Sequence, residues 1–126
     1  MISDTSQKRS LLRSFSAAFA GLKVLFCNER NFRFHLFIGA LTIGTGAFFQ
    51  VKTSEWIAVM LMIALVLFAE AVNTGIEYIC DLISPEYDLR IKRIKDIAAG
   101  AVLLVAMIAV IVGCIIFIPY FIRLVF

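Results

Sequence analysis

Residues 97–122 run without a single charged side chain, from an opening that includes the small cluster Ala98-Ala99-Gly100-Ala101 to Arg123, which closes the stretch. An apolar run of that length matches the roughly 20 residues a helix needs to cross the hydrocarbon core of a bilayer. Two further blocks follow the same rule. Residues 34–50 lie near the lower end of the about 17–25 residues that suffice. Residues 56–69 are purely apolar and begin on Trp56, a residue type favoured at the membrane boundary. Composition agrees: 62% of the 126 residues are hydrophobic and 17% charged, against about 45–50% and about 25% in soluble domains. A soluble globular fold, a disordered chain and, with 7 Gly and 2 Pro, a collagenous one are thereby excluded.

The N-terminal segment differs in kind. Leu11, Leu12, Phe15, Phe19, Leu22 and Phe26 recur at helical steps, with Arg13, Ser16, Ala17 and Lys23 between them. That pattern predicts an amphipathic helix over residues 10–28. Its two cations within the apolar stretch predict that it lies along the membrane surface, and they exclude the unbroken core of a secretory signal. Residues 1–9, with Asp4, Lys8 and Arg9 among Ser, Thr and Gln, are read as a loose tail. The expected fold is therefore an all-α membrane protein in a single domain over residues 1–126. It comprises the N-terminal surface helix and three transmembrane helices at about 34–50, 56–81 and 97–122. Gly39, Ala40, Gly44 and Gly46 predict close helix contact on the first span, with Ala40 and Gly44 as a small-xxx-small pair. Lys52 to Glu55 make a polar turn, and after the helix-ending pair Ser84-Pro85 the segment EYDLRIKRIK reads as a basic loop.

Of the twelve cations, six precede the first span, one lies between the first and second, four between the second and third, and one at the end. Positive-inside bias then puts the surface helix and the basic segment in the cytoplasm, with the short turn and the C-terminus outside. Cys27, Cys80 and Cys114 form no CxxC pair and are odd in number, so they read as reduced thiols rather than disulfide partners or zinc ligands. The lone His35 reads as an interfacial side chain.

The second span changes character at its inner end. Glu70, Asn73, Glu77 and Asp81 follow at spacings of three, four and four, which sets them on one helix face. An ionisable group within a span costs about 2.5–3.5 kcal/mol on insertion scales, so several on one face call for a shared use. Glu70 lies fourteen residues beyond Trp56, about 21 Å into a core about 30 Å thick, and Glu77 reaches its inner boundary. Such a site meets lipid at one end and water at the other. Glu29 and Glu77 are oxygen donors of the kind that hold Mg²⁺ together with substrate phosphates. Lys95, with Arg90, Lys92 and Arg93, supplies phosphate partners, and the deep Glu70 is placed to take a proton from an alcohol. These are the parts of a phosphoryl transfer site, yet there is no GxxxxGK[ST] loop and no HRD or DFG set.

The run EAVNTGIEYICDLISPEYDLRIKRIKDIAAGAVLL, residues 70–104, resembles the bacterial membrane diacylglycerol kinase and undecaprenol kinase family, whose pattern is roughly ExxNTAIExxxD followed by KDxxAAAVL. Gly21-Leu22 and Asn28-Glu29 with Phe32-Arg33 are similar to the end of that family's amphipathic helix, and the likeness runs from about residue 10 to 120. The resemblance implies ATP- and Mg²⁺-dependent phosphorylation of a membrane lipid alcohol at the cytoplasmic face of the bacterial inner membrane, giving phosphatidic acid or undecaprenyl phosphate. It implies that Glu70 is the catalytic base, that Glu29 and Glu77 hold the metal on ATP, and that Asn73 and Asp81 support them. Glu86, Tyr87, Asp88, Lys95 and Asp96 match positions that bind nucleotide. It also implies a homotrimer with sites at subunit boundaries. The sequence departs from the pattern at Asp88, where a His is often found, and at Ala17, where some members carry an aromatic. The alternative is a small oligomeric transporter or proton-conducting subunit with Glu70 as carrier. A transporter predicts polar groups near midplane on more than one span, and the first and third spans offer only Thr42 and Thr45.

Overall fold

The computed structural model describes residues 3–126, with side chains from residue 10 onward. It is entirely helical: α1 spans Ser3–Asn28, α2 Arg30–Phe49, α3 Thr53–Ile83 and α4 Leu89–Val125. All four are long and apolar enough to cross a membrane. α1 begins earlier than the sequence predicts, so residues 3–9 are helical rather than a tail; residues 1 and 2 lie outside the described residues. Once residues 10–28 have formed a helix, each further residue adds a hydrogen bond without a new nucleation cost.

α1 and α2 are separated by one residue. Glu29 adopts φ −96° and ψ 110°, while its own N–H still reaches Leu25 O and its carbonyl accepts from Arg33 N, both at 3.2 Å. The chain bends there, and only the bonds on either side of Glu29 carry the ladder across. Arg33 Nη1 donates to Cys27 O at 2.7 Å, satisfying a carbonyl that the end of α1 leaves free. Phe26 and Phe32 meet edge to face across the bend, with ring centroids 5.5 Å apart. Apart from Leu25, every residue from 10 to 28 is exposed on the isolated chain.

α2, α3 and α4 pack together, and the tightest cluster lies at the end opposite the acidic face. Val51, Val59 and Ile116 are buried there against Phe49, Trp56, Phe117 and Tyr120. α2 ends in a left-handed residue, Gln50 (φ 51°, ψ 49°), with Gln50 N–H on Ala47 O and Val51 N–H on Gly46 O. This is the paired closure of a Schellman turn. Of the small residues in α2, Gly39 and Gly46 make the expected close contacts. A methyl group on Gly46 would sit 2.9 Å from the Trp56 ring, and one on Gly39 would sit 3.1 Å from Ile63. Gly44 has nothing within 4 Å of that position, and Ala40 is exposed, so this small-xxx-small pair faces away from the rest of the chain.

Two boundaries correct the sequence reading. Thr53 to Glu55 form the first turn of α3, where Glu55 Oε2 accepts from Lys52 N–H at 2.8 Å, so the connection between α2 and α3 is shorter than predicted. The basic segment is helix from Leu89 onward, not loop. Asp88 caps α4 by accepting from Arg90 N–H at 2.7 Å, which confines the connection to residues 84–88.

Candidate active site

The acidic stripe of α3 is graded in depth. Glu70 is 3% exposed and Asn73 5%, with Thr74 buried beside them, whereas Glu77 is half-buried and Asp81 exposed. A solvated helix face would not bury its first two polar members, so the stripe starts inside the bundle and opens outward. Asn31 and His35 of α2, one turn apart, are polar neighbours of Glu70, together with Glu29 and Glu77. Asn73 Nδ2 donates to Glu77 Oε1 at 3.2 Å, while Asn73 Oδ1 is buried with no partner. Buried acceptors without a partner are uncommon, and one lying between two carboxylates suits a cation or a substrate hydroxyl.

Glu29 joins this site within the same chain. At the α1–α2 bend its carboxylate makes no capping bond, and its Oε1 accepts the Tyr78 hydroxyl at 2.6 Å. The sequence reading passed over Tyr78, which adjoins Glu77 on α3. Among the described residues no three Asp, Glu, His or Cys side chains form a ready cation cage. Mg²⁺ does not require one, since it is commonly held by one or two carboxylates plus substrate phosphates. Glu29, Glu77 and the unpaired Asn73 oxygen are the hard donors such an ion takes.

Three of the four basic side chains predicted to meet phosphate, Lys95, Lys92 and Arg90, are engaged with acids. Lys95 pairs with Asp81 across the α3–α4 connection, and Lys92 pairs with Asp96 one turn along α4. The bond to Asp81 holds the Lys95 ammonium above its ordinary range. Arg90 pairs with Asp88 at 2.9 Å, and with its amide holds that carboxyl below the usual range. Asp88 thus serves as a helix cap in this structure. Glu86 and Tyr87 are exposed in the connection, Tyr87 at 81%.

Between α2, α3 and α4 lies a cavity of about 610 Å³. It runs from Phe34 and His35, next to Glu70, down to Phe121, with Val66 and Ile63 on its wall. Thr42 and Thr45 line it too, but their hydroxyls donate to Ile38 O and Leu41 O of their own helix, both at 2.9 Å. Their hydroxyl hydrogens are thus spent within α2.

The fold and the face define a helical protein of membrane type whose buried carboxylate lies where an apolar cavity gives way to a polar helix end. The chain belongs to the prokaryotic diacylglycerol kinase family, whose profile matches residues 16–117. It is 39% identical over 111 residues to a diacylglycerol kinase of Synechocystis, covering 87% of this chain and 63% of that protein. With an undecaprenol kinase of Bacillus subtilis it shares 36% over 107 residues, 85% of this chain and 87% of the relative. With a diacylglycerol kinase of Escherichia coli it shares 26% over 121 residues, 96% and 99% of the two chains.

Proposed function

We propose that this chain is a lipid kinase that transfers the γ-phosphoryl group of ATP to the hydroxyl of a membrane lipid alcohol, diacylglycerol or undecaprenol. The observation that carries this reading is the burial of Glu70, beside His35 at one end of the apolar cavity, and of Asn73, on the same helix face as Glu77. A lipid whose hydrocarbon remains in the bilayer, or in that cavity, can bring its hydroxyl to Glu70. ATP arrives from the aqueous end at Glu77.

In this mechanism Glu70 accepts the proton of the lipid hydroxyl. The freed oxygen forms a bond to the γ-phosphorus as the bond from that phosphorus to the β–γ bridging oxygen breaks. ADP leaves, and Glu70 returns its proton to water at the polar end of α3. A magnesium ion held by Glu29 and Glu77 would supply charge neutralisation on the phosphate oxygens. Asn73 orients Glu77 through its amide N–H and offers its free oxygen to the same region. Lys95 meets phosphate by exchanging Asp81 for it, with Asp96, Glu86, Tyr87 and Asp88 around the nucleotide.

α1 lies on the cytoplasmic surface of the inner membrane with Phe15, Phe19 and Phe26 in lipid, and α2 to α4 cross it. Its two internal cations and its exposure on the isolated chain support that placement. The cation distribution supports a cytoplasmic position for the active site. Three copies assemble, with the open Ala40 and Gly44 face available to a neighbouring helix. The direct test is purified protein in detergent with Mg²⁺ and γ-labelled ATP, given diacylglycerol and undecaprenol separately. Label is expected in phosphatidic acid, in undecaprenyl phosphate or in both; label in neither would sink the reading.

A further inference from the structure

We infer that Tyr78 is a positioning residue for nucleotide-bound metal, acting by holding the Glu29 carboxylate in place beside Glu77. This rests on the reading of Glu29 as a metal ligand. Glu29 occupies the one extended residue between two helices, and its side chain makes no bond to the helix end it precedes. A glutamate so placed is free to sample several rotamers. The Tyr78 hydroxyl removes that freedom with a short bond of 2.6 Å to Oε1 alone, leaving Oε2 for a cation.

Tyr78 follows Glu77 directly in α3, so one turn of backbone fixes both a carboxylate and the group that aims the other carboxylate. The hydroxyl is not needed to dock α1, because Arg33 and the Phe26–Phe32 contact already span the bend. Nor is it a buried group that must find a partner, since Tyr78 is substantially exposed. What the bond accomplishes is orientation. Hydrogen-bond partners of metal ligands commonly contribute about 10- to 100-fold in metal affinity.

The test compares the parent with Tyr78→Phe, Glu29→Gln and the double variant, all purified in detergent. Binding of Mn²⁺ with a non-hydrolysable ATP analogue is followed by electron paramagnetic resonance, without turnover. Initial rates are then measured against Mg·ATP and against lipid. Tyr78→Phe is expected to weaken Mn²⁺–nucleotide binding by about tenfold and to raise KM for Mg·ATP similarly, with KM for lipid held. In the Glu29→Gln background the Tyr78 change should add nothing, because its only route of action is gone. Glu29→Gln weakening binding while Tyr78→Phe does not would overturn the positioning role alone. If neither variant weakens binding, the assignment of Glu29 fails and the positioning role falls with it. A Tyr78→Phe protein that melts earlier and loses lipid and nucleotide affinity alike would show a helix-docking role in its place.

Discussion

Asn73 Nδ2 donates to Glu77 Oε1 at 3.2 Å across one helical turn, and the oxygen of the same amide is left buried without a partner. Holding a desolvated acceptor unpaired costs about 1–3 kcal/mol, so this residue serves something other than the stability of the resting fold. Asn73→Ala removes the orphan oxygen together with the bond to Glu77. The variant is expected to melt no earlier than the parent while its kcat/KM falls at least about tenfold, the loss of roughly one such interaction in the transition state. Thermal melts and initial rates on one preparation check both halves. A variant that loses stability and keeps its rate contradicts the account.

At the other end of the bundle Tyr120 donates to Glu55 Oε2 at 2.6 Å, and Glu55 also accepts from Lys52 N–H. The Tyr120 bond first, and the Lys52 amide second, hold the Glu55 carboxyl below its ordinary value of 4.5. A carboxyl depressed in the folded state adds stability that is present above its unfolded value and lost as pH falls through the folded one. The melting temperature is therefore expected to be flat above about pH 5 and to drop below it. In Tyr120→Phe that drop should be smaller, from a lower starting plateau. Equal acid sensitivity in both proteins would show that the bond plays no part.

Lys95 is engaged by Asp81 in the structure, so any phosphate role requires it to change partners. Lys95→Met keeps the stem and removes the charge. KM for Mg·ATP is expected to rise by roughly tenfold, on the order of one charge-assisted hydrogen bond, with KM for lipid unaltered. Steady-state kinetics with each substrate varied in turn decide it. An unchanged nucleotide KM would confine Lys95 to bracing the α3–α4 connection.

Gln50 occupies the left-handed region that closes α2, where a β-carbon is strained. Gln50→Gly is expected to stabilise the protein by about 0.5–1 kcal/mol, the relief of that strain less the added freedom of the unfolded chain. A higher melting temperature with unchanged kinetics is the outcome to look for; a lower one would mean that the Gln50 side chain makes a stabilising contact of its own.

The parts legible in the sequence were those set by local periodicity. The apolar repeat from Leu11 to Phe26, the chargeless run 97–122 and the shared face of Glu70, Asn73 and Glu77 all follow from 3.6 residues per turn and from side-chain chemistry within one helix. Contacts that depend on how helices cross were not legible. Tyr78 meets Glu29 only because the chain bends at one residue, and 49 positions separate them. Asn31 and His35 face Glu70 because of the way α2 leans on α3. Ala40 and Gly44 had the right spacing for a helix contact but lie on the face of α2 that has no partner within the chain. The basic segment read as loop because its charge density resembles one, although Asp88 before Leu89 carried the signal of a helix start.

The central claim is that Glu70, buried at the junction of cavity and acidic face, removes the proton from the lipid hydroxyl. Glu70→Gln preserves size and hydrogen bonding while giving up the capacity to accept that proton. The most direct measurement is kcat of this variant in the detergent assay, with Mn²⁺–nucleotide binding followed alongside. General-base removal typically lowers the rate by about 10²–10⁴, and a fall in that range with nucleotide binding nearly intact is the expected result. A variant that keeps kcat within a few-fold of the parent would contradict the role of Glu70 and, with it, the kinase mechanism built on that residue.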